Sequence, residues 1–163
     1  MNLKKLITLS ATTTLLFTAS SAALAQVPQY GANVNVETAR KLIAGAVAEA
    51  RKIGVPMAIA VVDTSGQLVA FERMDNTQTA STAIAQDKAS ASAMYRRPTK
   101  ALQDVLAAGG VGLRVLTLRG ATSVEGGVPI TVDGKILGAI GVSGGSSEQD
   151  GVVAKGGLDA LAK

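Results

Sequence analysis

The basic residues near the middle of the chain are the first candidates for chemistry. Lys88, Arg96, Arg97 and Lys100 form a local cluster of cations. An arginine guanidinium can hold a carboxylate through two parallel hydrogen bonds. The cluster therefore predicts a site for a small anionic ligand. The alternative is that these residues are solvated helix ends, where the helix dipole favours cations.

Two glycine-rich stretches are the second candidates. Gly126 and Gly127 precede an apolar segment, and Gly144 and Gly145 follow Ser143 at the end of another. Glycines let a ligand approach the backbone, and a serine hydroxyl can donate to it. We therefore predict that the two stretches form one rim of a pocket. Each stretch could instead be a tight corner without a ligand.

The second glycine stretch differs from a nucleotide-binding loop because no lysine follows it. Glu148 and Asp150 follow instead, and two acids in the first turn of a helix oppose a phosphate there. Ser147 and Asp150 have the spacing of a capping box. The sequence therefore favours a capped strand-to-helix corner over a phosphate site.

The chain contains neither histidine nor cysteine. This excludes Ser-His-Asp triads, cysteine nucleophiles, zinc sites built on these residues and haem iron held by histidine. Acid–base chemistry would have to come from Asp, Glu, Lys or Tyr. No pair of carboxylates can be placed about a substrate, so no catalytic residue is assigned and no metal site is predicted.

The N-terminal residues have the three parts of a secretory signal peptide. Lys4 and Lys5 are basic, residues 6–17 are largely apolar, and Ala23-Leu24-Ala25 is an A-x-A cleavage pattern. We therefore predict a signal peptide over residues 1–25 and a single domain over 26–163. The product would be periplasmic or secreted by a bacterium, without a stable membrane span after cleavage.

The charge of the remaining chain is small. Loss of the two signal lysines lowers the net charge from +4 to +2, and aromatic residues make up 2% of the sequence. A nucleic-acid surface needs a basic stripe with aromatic stacking platforms. Nucleic acid is therefore not a predicted partner.

Hydrophobic periodicity predicts the elements that position these residues. The predicted helices cover residues 36–53, 81–95, 99–108 and 147–161. The predicted strands cover 57–62, 67–74, 115–118, 128–132 and 135–142, with turns at 63–66 and 133–134. The order α-β-β-α-α-β-β-β-α predicts an α+β fold, in which a five-stranded, mainly antiparallel sheet carries helices on both faces.

The predicted helix over residues 81–95 is lined with alanine and serine. Small side chains let another backbone come close, either within the fold or between chains. We take this stripe as a candidate contact of a homo-oligomer.

Three segments resemble the haem-binding and haem-degrading family typified by GlcG and HbpS, which also occurs as the C-terminal domain of PduO-type proteins. The segments are VPMAIAVVDTSGQLVAFERMD, AQDKASASAMYRRPT and EGGVPITVDGKILGAIGVSGGSSEQD. They follow one another with the spacings of the family, and the last is the most specific. The resemblance implies a five-stranded sheet sandwiched by helices, and assembly into dimers or larger oligomers.

The resemblance also implies haem or a related tetrapyrrole as the ligand. The cationic cluster would then hold the propionates. Because no histidine is available, Tyr95 is the first candidate ligand of the iron and Met94 the second, since both residue types can ligate haem. The alternative is that both side chains simply pack in the core.

Two classes of function follow. The first is an exported small-molecule-binding protein that binds haem or a related tetrapyrrole. The second is an enzyme or an accessory protein that acts on a small organic acid without a histidine or cysteine catalytic group.

Overall fold

The structure is a computed structural model that describes residues 27–161. The predicted signal peptide lies outside these residues. One five-stranded sheet organises the described chain. Its strands are β1 (Gln29–Tyr30), β2 (Ala58–Val62), β3 (Leu68–Arg73), β4 (Gly127–Val132) and β5 (Lys135–Ser143).

Strand β5 lies at the centre of the sheet. It pairs antiparallel with β4 on one side and with β2 on the other, and β2 continues antiparallel to β3. Strand β1 pairs parallel with the start of β5. The α+β prediction with five strands is therefore confirmed, and the sheet is mixed rather than wholly antiparallel.

The fifth strand is not the predicted one. Residues 115–117 belong to a 3-10 helix, Gly110–Thr117, and Leu118 is its C-cap, so the prediction of a strand there is wrong. Gly109 and Gly110 adopt positive φ angles of 66° and 53° and turn the chain into this helix. The strand preference of a short apolar run depends on its packing, and this run packs on α3 instead of joining the sheet.

Four α-helices within residues 27–161 cover the two faces of the sheet. Helices α1 (Val36–Ile53) and α4 (Ser147–Asp159) pack on one face, and α2 (Ser81–Tyr95) packs on the other, followed by α3 (Thr99–Ala107). No helix among these described residues is long and apolar enough to cross a membrane.

Successive side chains of each strand point to opposite faces of the sheet, and the two faces are packed differently. The face under α1 and α4, here called the large-residue face, presents Ile59, Val61, Ile140 and Val142. The face under α2, here called the small-residue face, presents alanines and glycine from the intervening positions, such as Ala60, Ala139 and Gly141.

Helix α2 lies directly on the backbone of the small-residue face. Gly127 and Gly141 are register partners in β4 and β5. A Cβ on Gly141 would overlap the carbonyl oxygen of Ala85, and one on Gly127 would overlap that of Lys88. The small-residue stripe of α2 is thus used within the fold, where Ala85, Ala89 and Ala93 are fully buried.

Candidate functional site

A buried ion pair joins α2 to the start of α4. The Lys88 Nζ atom lies 2.6 Å from the Asp150 Oδ2 atom, and the two side chains are only 1% and 4% exposed. Lys88 also donates to the Val142 carbonyl oxygen at 3.1 Å. The Asp150 Oδ1 atom accepts from the Gly145 N–H at 3.0 Å. We call Lys88, Asp150 and these backbone partners the buried ion-pair centre.

Both glycine stretches meet at this centre. The Gly126 carbonyl accepts from the Val142 N–H at 2.9 Å. Gly126 has a φ of 129°, and a Cβ there would lie 2.9 Å from both the Lys88 Nζ and the Asp150 Cβ atoms. The ammonium and carboxylate therefore occupy the space where the pocket rim was predicted. Gly126 and Gly127 pack tightly against α2 and do not line a pocket.

The second glycine stretch forms the corner that the sequence favoured over a phosphate site. Ser143 is buried and donates to Ser81 at 3.1 Å, while a Cβ on Gly144 would overlap the Pro56 carbonyl oxygen. Gly145 is exposed, and its N–H is already bound to Asp150.

The predicted capping box is wrong by one residue. Ser146 caps α4 by accepting from the Gln149 N–H, and Gln149 accepts from the Ser146 N–H in return. Asp150 is thereby free to turn inward to Lys88. A cap is local chemistry, whereas the partner of Asp150 lies 62 residues away along the chain.

Burial raises the pKa of the Asp150 carboxyl above its usual range, because removal from water penalises the charged form. The hydrogen bond and charge of Lys88 and the Gly145 N–H oppose that rise. The carboxylate therefore depends on Lys88 to remain ionised in its buried position.

The structure separates Lys88 from the arginines with which it was grouped. Eight residues of helix place Arg96 about 12 Å further along the axis of α2. Asp87, which could have paired with Lys88, is exposed. Lys100 forms an exposed ion pair with Asp104 on α3 at 2.8 Å. Lys88 is consequently unavailable to an exposed anion.

The remaining predicted residues stay together at the end of α2. We call Met94, Tyr95, Arg96 and Arg97 the α2-end cluster. Arg97 is exposed, and its Nε atom donates to the Tyr95 carbonyl at 3.1 Å. The Tyr95 hydroxyl donates to the Arg119 carbonyl at 2.7 Å. This bond brings the turn around Gly120 against the cluster.

Arg96 is held by the N-terminal strand. It ends α2 with a positive φ of 53°, and its guanidinium lies 5.4 Å from the centre of the Tyr30 ring. The Tyr30 hydroxyl donates to the last carbonyls of α2, those of Ala93 at 3.0 Å and Met94 at 3.2 Å. Tyr30, to which the sequence assigned no functional role, thus positions the cluster.

Met94 is the most accessible soft donor of the cluster. It is 42% exposed. It lies between two turns, because a Cβ added to Gly66 would touch the Met94 Cγ atom and one added to Gly120 would touch its Cε atom. A small pocket of about 290 Å³ adjoins it, lined by Asp87, Ser90, Gly120, Ala121 and Thr122. Among residues 27–161, no three His, Cys, Asp or Glu side chains are grouped to hold a metal ion.

A second groove lies on the opposite side of the sheet. It has a volume of about 500 Å³ between α1 and β3, and its lining includes Arg40, Val69 and Glu72. The Glu72 carboxylate beside Arg40 weakens this groove as an anion site, and no methionine or tyrosine lines it. The α2-end cluster therefore remains the better candidate.

Comparison with known proteins gives consistent results. The family model described as haem degrading protein HbpS-like matches residues 34–159. The GlcG protein of Escherichia coli is 41% identical over 107 residues, which cover 66% of this chain and 78% of GlcG. The crystal structure of HbpS has a TM-score of 0.74 at 29% identity, covering 82% of this chain and 93% of HbpS. The crystal structure of a PduOC–haem complex has a TM-score of 0.71 at 28% identity, covering 78% and 94%.

Proposed function

Because the chain belongs to the HbpS-like family of haem degrading proteins, we propose that it binds haem or a related tetrapyrrole. The α2-end cluster is the proposed site. The observation that carries the proposal is the joint presence there of an exposed thioether, Met94, and an exposed guanidinium, Arg97. Haem can use both kinds of partner, since a thioether is one of the axial ligands that its iron takes and its propionates pair with cations.

The donor set fits this group at a surface. Met94 would face the iron, and Arg97 would hold a propionate. Leu118, in the turn bonded to Tyr95, is 42% exposed and supplies apolar surface for the macrocycle. The adjoining pocket of about 290 Å³ is below the usual size of an enclosing ligand site, so the ligand would lie across the cluster.

This geometry reverses the order of the two iron ligands. The Tyr95 hydroxyl is already donated to the Arg119 carbonyl, and ligation would require that bond to break. Ligation by the exposed Met94 thioether would break no hydrogen bond of this kind. When bound, haem would supply the redox chemistry of its iron, while the chain would bind and orient it through Met94 and Arg97.

Titration of the 26–163 chain with haem, followed at the Soret band, tests the proposal. Charge-assisted hydrogen bonds contribute about 1.5–3 kcal/mol, so Arg97→Ala should weaken binding by roughly one to two decades. Arg96→Ala should weaken it less, because that side chain is held by Tyr30. Met94→Leu should shift the Soret band, and Tyr95→Phe should leave its position unchanged.

Arg40→Ala is the matched control, because it removes an arginine from the groove on the other face. It should leave affinity unchanged. Loss of binding in Arg40→Ala alone would move the site to that groove. Unsaturable binding, or no change in any cluster variant, would reject the α2-end site.

The second candidate function is action on a small organic acid. The small polar pocket lined by Ser90 and Thr122 favours it, since a volume of about 290 Å³ admits a short acid but not a macrocycle. The Asp87 carboxylate in the same lining repels a second carboxylate, so the carboxylate of the ligand would have to face Arg97 instead. Calorimetric titration with short mono- and dicarboxylates tests it. Saturable binding that is lost in Arg97→Ala, together with no haem binding, would select this alternative.

Export and assembly complete the proposal. The mature protein would begin at Gln26 in the periplasm or the medium, and it would form a homo-oligomer. The N-terminal signal pattern and the family resemblance support these two points. Mass spectrometry should find Gln26 as the first residue, whereas an intact Met1 in the cytosolic fraction would reject export.

A further inference from the structure

The 3-10 helix buries one of its edges and exposes the other two. Side chains three residues apart lie above one another on a helix of this type. Gly112 and Val115 form the inner edge, because a Cβ on Gly112 would overlap the Val105 carbonyl oxygen of α3 and Val115 is buried. The outer edges carry three large apolar side chains and one arginine, which are Val111, Leu113, Leu116 and Arg114. We call these four residues the apolar–cationic surface.

The apolar side chains of this surface are far more exposed than is usual for their type. Val111 is 76% exposed, Leu116 is 69% exposed and Leu113 is 52% exposed. Soluble proteins rarely expose apolar side chains in a contiguous group unless the group meets a protein partner or a membrane. The surface therefore requires an occupant.

The 3-10 helix receives little support from its own chain. It runs for eight residues, and Val115 alone of them is buried. Helices of this type longer than three or four residues are uncommon, because their hydrogen bonds have poor geometry. An apolar medium around the outer edges would stabilise this segment.

The charge of the region has one sign. Residues 105–124 contain Arg114 and Arg119 but no acid. Both arginines are exposed. The acids on either side of the stretch are engaged elsewhere, since Asp104 is in an ion pair on α3 and the Glu125 side chain lies against α4. The surface is therefore apolar and net cationic.

We propose that the apolar–cationic surface docks on an anionic lipid bilayer. The side chains of Val111, Leu113 and Leu116 enter the boundary between headgroups and acyl chains, and Arg114 and Arg119 meet the lipid phosphates. The helix lies in the plane of the membrane and does not cross it.

Charge favours the lipid over a second copy of this chain. A two-fold contact places a patch against itself, so Arg114 would meet another cation and no free acid. An anionic bilayer offers the opposite charge to both arginines, and it accepts apolar side chains without fixed hydrogen-bond partners. Export to the periplasm, as proposed above, would place the protein beside such a bilayer.

Co-sedimentation of the 26–163 chain with lipid vesicles tests the proposal. This chain lacks the predicted signal peptide, so binding cannot come from that apolar segment. It should bind vesicles that contain phosphatidylglycerol about 25-fold more tightly than vesicles of phosphatidylcholine alone, because each of two arginines near an anionic surface contributes about five-fold. Added salt should reduce this difference, because it screens the exposed charges.

Two kinds of variant separate the apolar and the electrostatic contributions. Leu116→Ser and Val111→Ser should each weaken binding to the anionic vesicles about ten-fold, because each removes apolar area that lipid would cover. Arg114→Gln should weaken it about five-fold and leave binding to the neutral vesicles unchanged. The three positions are exposed, so circular dichroism should show an unchanged fold.

Leu68→Ser and Arg40→Gln are the matched controls. Leu68 is 50% exposed on β3, at the sheet edge opposite β4, and Arg40 is exposed on α1. Neither lies near the 3-10 helix. Both variants should bind vesicles as the unmodified chain does.

No binding, equal binding to the two kinds of vesicle, or binding that Leu116→Ser leaves unchanged would overturn the proposal. Light scattering that finds an oligomer which Leu116→Ser dissociates would also overturn it, because a second copy would then cover the surface. Haem titration without vesicles remains a separate test of the proposed function, since Met94 and Arg97 are intact in every variant.

Discussion

The two faces of the sheet are packed by opposite means. On the large-residue face, Leu42 of α1 lies in one buried cluster with Ile59 and Ile140, and branched side chains fill the space between helix and sheet. On the small-residue face, Ala89 of α2 meets Gly141, and the backbones of helix and strand approach directly. The same strands serve both faces, because neighbouring residues point in opposite directions.

The difference shows where a polar pair can be buried. Close approach of α2 brings Lys88 within reach of the Val142 carbonyl and the Asp150 carboxylate, so each buried charge finds partners. The large-residue face gains stability from apolar burial. The small-residue face depends on fit and on the pairing of two charges, and it should respond differently to substitution.

The largest effect is expected from breaking the buried ion-pair centre. Lys88→Met removes the ammonium and leaves the Asp150 carboxylate buried without its cation, which should lower the free energy of unfolding by about 3–5 kcal/mol. Urea unfolding measures this. Lys41→Met is the control, because the Lys41–Glu37 pair is 63% and 79% exposed and should contribute at most about 0.5 kcal/mol.

The double variant Lys88→Met with Asp150→Leu sharpens the same test. Replacing both charges by apolar groups should restore most of the lost stability, since no unpaired charge remains. Equal stability of Lys88→Met and the native chain would contradict the role given to the pair.

Smaller effects of opposite origin are expected from the packing of the two faces. Leu42→Ala should cost about 2–5 kcal/mol, because it leaves a cavity on the large-residue face. Ala89→Leu should cost about 1–3 kcal/mol, because the small-residue face has no room for added methylenes. Thermal and urea unfolding measure both. Ala89→Leu without any loss would mean that α2 can move away from Gly141.

The smallest effect is expected from pH. Folding raises the pKa of Asp150. At a pH between the usual and the raised pKa, the Asp150 carboxyl is therefore protonated in the folded chain and ionised in the unfolded chain. This linkage favours folding at the lower pH. The stability of the native chain relative to the Lys88→Met, Asp150→Leu double variant should therefore fall as pH rises through the raised pKa. Urea unfolding of both proteins at several values from about pH 4 to about pH 7 measures it, and a rise would reverse the sign given to Asp150.

Local signals predicted most of the fold. Gly54 ends α1 in the left-handed region, and Asp133-Gly134 turns β4 into β5, as their residue types require. The 3-10 helix was missed because Val115 and its neighbours have strand propensity, which the packing of this segment on α3 overrides. Strand β1 was missed because two residues carry no periodicity, and their pairing with Lys135 and Ile136 is long-range.

The candidate site was predicted in part. The four residues of the α2-end cluster are adjacent in sequence at one end of a helix, so they also lie close together in the folded chain. Lys88 was misplaced because its helical neighbours Ala85, Ala89 and Ser92 form a buried stripe. That stripe was the signal that Lys88 points inward and needs a buried acid.

The sequence by itself determined the helices, the two hairpins, the family and the absence of histidine and cysteine chemistry, because these depend on residue types and short spacings. Only the tertiary structure decided which side chains meet. Asp150 became the partner of Lys88, and Tyr30 became the support of Arg96, through contacts across more than sixty residues. Such contacts are fixed by how close α2 comes to the sheet, and that distance follows from Gly127 and Gly141 lying side by side in two different strands.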